Sequence, residues 1–309
     1  MQVLMSKAAL KRIGARLKHA ASFAEALTID KSGAIWRDGV VVAEAAPQIA
    51  WLSRDMHATP TLEAIVRYIQ RSESIRVVQT YQAGLDNPFY AAMAARNIRI
   101  VQSTAQAPAI AEYVVAHALS LLHPIETQAA LQAKRAWART PFREIAGMHV
   151  ALIGFGAIGQ EIERRLRAFG PRITIVRRTP AEGQISLSES PHALPSADLV
   201  ILACALNDET RGLAGAAFFA ALKPGAVLIN VARGAIVDED ALRNGLSRQQ
   251  PGFAVLDVFQ DEPLAPDAWF WTHPRVRVTA HCANDGDGVT ERGDQLFLRT
   301  LKEAGAGVV

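Results

Sequence analysis

Short apolar runs alternate with longer stretches of helical period along most of the chain. "QVLMS" at the start predicts a strand, and Leu10, Ile13 and Leu17 then fall on one face of a helix. "IAWLS" (49–53), "IRVVQTY" (75–81) and "IRIVQS" (98–103) are strand-like, with "TLEAIVRYIQ" and a second helical stretch between them. Strands and helices in alternation build a parallel sheet, because each crossover helix returns the chain to the same end. A longer helix is predicted over "PAIAEYVVAHALSLL", with Pro108 in its first turn and Pro124 just past its end. A second round follows: "VALI", a glycine-rich turn, a helix running to Phe169, then "RITIV", "DLVILACAL", "AVLINVA", "FAVLDVF" and "VRVTA". The pattern predicts an α/β chain with two doubly wound parallel-sheet domains.

Length agrees, since 309 residues, half of them hydrophobic, exceed one comfortable core. Lys and Arg number 33 against 30 Asp and Glu and are scattered along the chain, so no nucleic-acid partner is expected. No apolar run reaches the roughly 20 residues of a membrane helix, and no membrane partner is expected. Cys204 and Cys282 are too few for a disulfide framework, which points to a reducing, cytoplasmic location. Lys7, Lys11, Arg12, Arg16 and Lys18 precede any acid, as in an organelle transit peptide. The strand and helix pattern over the same residues assigns them to the fold instead. Histidines and cysteines show no ligand spacing, so no metal is expected.

In "HVALIGFGAIGQEIERRL" (149–166), Gly154, Gly156 and Gly159 match G-x-G-x-x-G between an apolar strand and a helix. Ile162, Leu166 and Phe169 are expected to share the buried face of that helix. The first glycine permits a tight turn, the second admits a pyrophosphate, and the third allows close packing. With Ala157 and Ile158, the helix N-terminus would present N–H groups to phosphate. The next strand ends in Arg177, Arg178 and Thr179, where an NAD site would place an acid for the ribose hydroxyls. Two guanidiniums and a hydroxyl suit a 2′-phosphate, so NADP is the predicted cofactor and NAD the alternative.

The segments "REIAGMHVALIGFGAIG", "ADLVILACALNDETRGL", "LKPGAVLINVARGAIVDEDAL", "FAVLDVFQDEPL" and "VRVTAHCA", in that order, resemble the D-isomer-specific 2-hydroxyacid dehydrogenases. That group contains glyoxylate and hydroxypyruvate reductases, and "VVQTYQAGLDN" extends the likeness upstream. The resemblance implies a Rossmann cofactor domain (104–282) inserted in a flavodoxin-like substrate domain (1–103 plus 283–309). A glycine motif so late in the chain then has its explanation.

The resemblance further implies hydride transfer between NADP(H) and a small 2-oxo or D-2-hydroxy acid. Arg233 would bind the carboxylate and carbonyl oxygen, His281 would exchange the proton, and Glu262 would orient the imidazole. Backbone N–H groups of Ala83 and Gly84 would hold the substrate carboxylate. Cys204, Asn207, Thr210 and Val231 would line the cofactor, and Asp257 would meet the nicotinamide amide. A homodimer built on the helix around Tyr113 to Leu122 is expected. Ala280 departs from the family's usual Pro, and "VQSTAQAPAI" lacks its common Asn-x-Pro-Gly turn. Two other functions share the fold. A cofactor-sensing corepressor would carry a long polar extension, and a formate dehydrogenase would have no use for Glu262 as partner of a proton donor.

Overall fold

A computed structural model describes residues 1–306, which form two compact units: Met1–Gln106 together with the segment from Asp287, and Ala107–Gly286. The first unit begins with β1 (Gln2–Ser6) and α1 (Lys7–Ala20), where the Ser6 hydroxyl caps the helix at the Ala9 N–H. It continues through β2 (Glu25–Ile29), β3 (Ile35–Arg37), β4 (Val40–Val41), β5 (Ile49–Trp51), α2 (Pro60–Arg71), β6 (Val77–Gln79), α3 (Pro88–Ala95) and β7 (Arg99–Val101). The sheet order is β4-β3-β2-β1-β5-β6-β7. Strands β2-β1-β5-β6-β7 are parallel in the flavodoxin-like order, and the β3–β4 hairpin extends one edge antiparallel.

Alternate residues of these strands feed two cores. Leu4, Leu27, Ala50 and Val78 pack with Ile65 and Ile69 of α2 on one face. Val3, Met5, Ile49 and Val77 pack with Ile13 and Leu17 of α1 on the other. The N-terminal basic segment is therefore structural. The glycine-rich, acidic run near the C-terminus leads into a helix, Val289–Gly305, that joins this second core. Its Phe297 stacks on Trp51 with ring centroids 4.0 Å apart. Its Asp294, 2% exposed, takes Arg12 at 3.0 Å and Arg16 at 3.3 Å.

The second unit contains α4 (Ala107–Leu122), α5 (Ile125–Ala133), β8 (His149–Ile153), α6 (Ala157–Arg167), β9 (Arg172–Val176), α7 (Ser190–Ala193), β10 (Leu199–Leu202), α8 (Ala216–Ala221), β11 (Val227–Asn230), α9 (Glu239–Ser247), β12 (Phe253–Leu256) and β13 (Val276–Val278). The returning helix Val289–Gly305 is α10. All strands are parallel in the order β13-β12-β11-β10-β8-β9. Beyond β9 a single parallel bridge, Val176 to Ile185, stands in the third-strand place of the Rossmann order. β8 is buried throughout, as a central parallel strand must be.

Phe169 departs from expectation. α6 ends at Arg167, the chain turns at Gly170 (φ +78°), and Phe169 is 39% exposed while Ile162 and Leu166 are buried. Pro124 does follow α4, but it also stands at the N-cap of α5, a helix with no buried residue and so no apolar stripe to announce it. No helix among the described residues is long and apolar enough to cross a membrane.

Candidate active site

The predicted cofactor and catalytic residues of the second unit gather in loops at the carboxyl edge of its sheet, where parallel α/β sheets bind ligands. The chain leaves β8 toward β9 on one side and returns to β10 on the other, so the turn after β8 sits at a switch point. Gly154 occupies that turn at φ +103°, and a Cβ there would strike the backbone of Ala203 and Cys204. Gly156 faces open space, which leaves room for a ligand to reach the main chain. α6 starts with no side-chain cap and no acid in its first turn, so the N–H groups around Ala157 and Ile158 stay available to an anion. This donor set fits a dinucleotide diphosphate.

Just beyond β9, Arg177 is half-buried, and Arg178 and Thr179 are exposed. Neither guanidinium is ion-paired among the described residues, which fits a site for a further phosphate. After β10, burial pushes the Cys204 thiol up to about 11. Asn207 Oδ1 and the Thr210 hydroxyl are engaged in their own turn. Asn207 Oδ1 accepts from Glu209 and Thr210 N–H, both at 3.0 Å, and the Thr210 hydroxyl donates to Ala205 O at 2.7 Å. Val231 is buried after β11.

Arg233 follows β11 in a loop held by Asn230, a fully buried side chain that sequence reasoning missed. Asn230 Oδ1 accepts from Ala232 N–H at 3.0 Å, and its amide donates to Arg233 O at 3.1 Å. Gly234 then lies against the backbone of Phe259 and Gln260 so closely that any Cβ would collide. The loop after β11 is thereby seated on the loop after β12. There the Phe259 N–H donates to Glu262 Oε1 at 2.9 Å, and Glu262 Oε2 stands 2.8 Å from His281 Nδ1. Their side chains keep 35% and 42% of their exposure, so the pair is open to a substrate.

Asp257, expected at the nicotinamide, is 2% exposed and its carboxylate is bonded to the histidine loop. Oδ1 accepts from Thr279 Oγ1 at 2.6 Å and Cys282 N–H at 2.9 Å, and Oδ2 accepts from Ala283 N–H at 3.0 Å. In the first unit, Ala83 and Gly84 follow β6, and Gln102 donates to Ala83 O at 3.0 Å. The N–H groups of Ala83 and Gly84 donate to no group among the described residues, which fits carboxylate capture.

Residues 115–283 match the family described as D-isomer specific 2-hydroxyacid dehydrogenase, NAD binding domain. The chain belongs to the D-isomer-specific 2-hydroxyacid dehydrogenase family. It is 32% identical over 188 residues to glyoxylate/hydroxypyruvate reductase A of Serratia proteamaculans, across 59% of this chain and 60% of that relative. It is 31% identical over 242 residues to the glyoxylate reductase of Thermococcus gammatolerans, across 74% of this chain and 72% of that one. Its fold matches the D-isomer specific 2-hydroxyacid dehydrogenase of Xanthobacter autotrophicus Py2, determined with NADPH and MES, at a TM-score of 0.77. That match has 25% identity and covers 99% of this chain and 95% of the other. Family membership thus extends from the glycine turn to the α/β architecture of each unit.

Proposed function

We propose that the protein is an NADPH-dependent reductase of small 2-oxo acids, of the glyoxylate or hydroxypyruvate type, giving D-2-hydroxy acids where a stereocentre forms. The observation that carries this reading is the Glu262–His281 pair beside the locked Arg233 loop, at the sheet edge that also holds the glycine turn. The second unit is assigned to the dinucleotide and the first to the substrate carboxylate.

The amides at the start of α6 hold the diphosphate, and Arg177, Arg178 and Thr179 take the 2′-phosphate. When bound, NADPH supplies the hydride. Arg233 pairs its planar guanidinium with the substrate carboxylate and carbonyl oxygen, polarising C2 as negative charge develops on oxygen. With Nδ1 engaged by Glu262, His281 delivers its proton from Nε2 to that oxygen. The Glu262 carboxylate balances the imidazolium before transfer and fixes its orientation, since its other oxygen is anchored on Phe259 N–H. Within the first unit, the N–H groups of Ala83 and Gly84 offer a carboxylate its hydrogen-bond donors.

A homodimer belongs to this reading, supported by an apolar arm after α4 on which Trp137 is fully exposed and Ile125 and Phe142 are each 53% exposed. Two free thiols support a cytoplasmic setting. The test is turnover of NADPH and NADH against glyoxylate, hydroxypyruvate and bulkier 2-oxo acids. Folded, cofactor-binding protein that reduces none of them would overturn the assignment.

A further inference from the structure

The loop that carries His281 is tied to α4 by a chain of half-buried hydrogen bonds that ends on the buried Asp257. Tyr113, on α4, places its hydroxyl 2.6 Å from Thr279 Oγ1, and Thr279 Oγ1 in turn lies 2.6 Å from Asp257 Oδ1. The direction of the chain follows from its end. A carboxylate only accepts, so the single Thr279 proton goes to Asp257, and Tyr113 must donate to Thr279. Burial pushes the Tyr113 phenol up to about 12, so the donor keeps its proton across the working range. The Asp257 carboxylate then takes the N–H groups of Cys282 and Ala283, while its backbone carbonyl takes the His281 N–H at 2.8 Å. Residues on both sides of the catalytic position are thus gathered on one buried side chain.

This gathering has a conformational purpose. His281 sits at φ +51°, in the left-handed region that a residue with a Cβ adopts only when its surroundings enforce it. Two residues before Thr279, on the same side of β13, Arg277 donates to Ser120 at 2.6 Å on α4 and to Glu126 at 2.8 Å on α5. The end of β13 is therefore clamped along α4 at two successive positions. We propose that Tyr113 and Thr279 are positioning residues for the reaction, acting through Asp257 to hold the His281 backbone in the conformation that faces Glu262. Neither touches the reacting atoms. The proposal rests on His281 as the proton donor of the function proposed above, but its structural core can be read without turnover.

Three variants test it: Thr279→Val, Thr279→Ser and Tyr113→Phe. Thr279→Val removes the link at constant shape, and amides 281–283 are expected to exchange hydrogen about tenfold faster by mass spectrometry, with β8 and β10 unchanged. Its kcat is expected to fall about 10- to 100-fold, while KM for the 2-oxo acid and Kd for NADPH stay within about twofold. Tyr113→Phe is expected to show a smaller shift of the same kind, and Thr279→Ser, which keeps the hydroxyl, to restore both readouts. Unchanged exchange at 281–283 in Thr279→Val overturns the proposal whether or not the enzyme turns over. Thr279→Ser as impaired as Thr279→Val overturns it too, because the side chain then acts by packing. Faster exchange in a protein that reduces no 2-oxo acid leaves the tether standing and removes the proposed function.

Discussion

In the proposed function, Arg177 is a residue whose charge selects between two cofactors. A hydrogen bond to a charged group contributes roughly 1.5 to 3 kcal/mol, so Arg177→Ala should weaken NADPH about 10- to 100-fold and leave NADH unchanged. Arg177→Asp should reverse the preference, since the carboxylate repels the phosphate and accepts from ribose hydroxyls. Dissociation constants from nicotinamide fluorescence check both; equal weakening of the two cofactors would count against the assignment. Glu262 can be tested as sharply. Glu262→Gln removes the carboxylate 2.8 Å from His281 Nδ1 and, on the proposed function, should lower kcat/KM by about 100-fold with NADPH affinity retained. An active Gln variant would move the orienting role elsewhere. The two thiols differ by environment. With its pKa near 11, Cys204 holds almost no thiolate at pH 8, so iodoacetamide should label the exposed Cys282 alone, as read by peptide mass spectrometry. Equal labelling of Cys204 would show that its wall opens in solution.

β8 begins with His149, a buried imidazole held at both nitrogens, 2.9 Å from Ser196 Oγ and 2.8 Å from Thr174 Oγ1. Burial, then the charge of Arg172, holds its pKa below the ordinary histidine value. Folding therefore favours the neutral ring. The stability it contributes is complete above the unfolded pKa of about 6.5 and is lost as pH falls through the lower folded value. His117 on α4 is lowered by the same cause and carries the same sign. The urea midpoint should accordingly fall between pH 7 and pH 5, and His149→Gln should flatten part of that fall; parallel curves would remove His149 as a source. Elements differed in how far the sequence announced them. Strands buried on both faces appear as apolar runs, and α1 and α2 as apolar stripes. β2 begins with an exposed Glu25 and the β3–β4 hairpin has an exposed edge, so neither carried a clear period.

At the scale of the whole molecule, the proposed homodimer would cover the apolar surface of Ile125, Trp137 and Phe142. Trp137→Glu is expected to turn a dimer into a monomer in sedimentation velocity, with each unit still folded by circular dichroism. A wild type that sediments as a monomer at micromolar concentration would retire the dimer. The sequence by itself determined the alternation of strands and helices, the glycine turn, and the residue types at the ends of the strands. These depend on local sterics and side-chain period, which a short window contains. Only the tertiary structure decided which loops meet. His281 and Glu262, 19 residues apart, close to 2.8 Å because β12 and β13 pair in parallel and bring their ends together. Arg233 is seated beside them because Gly234 has no Cβ to hold the loops apart. Asp257 turned toward the histidine loop because buried N–H groups there need an acceptor, and no local window reveals which distant donors a buried carboxylate will find.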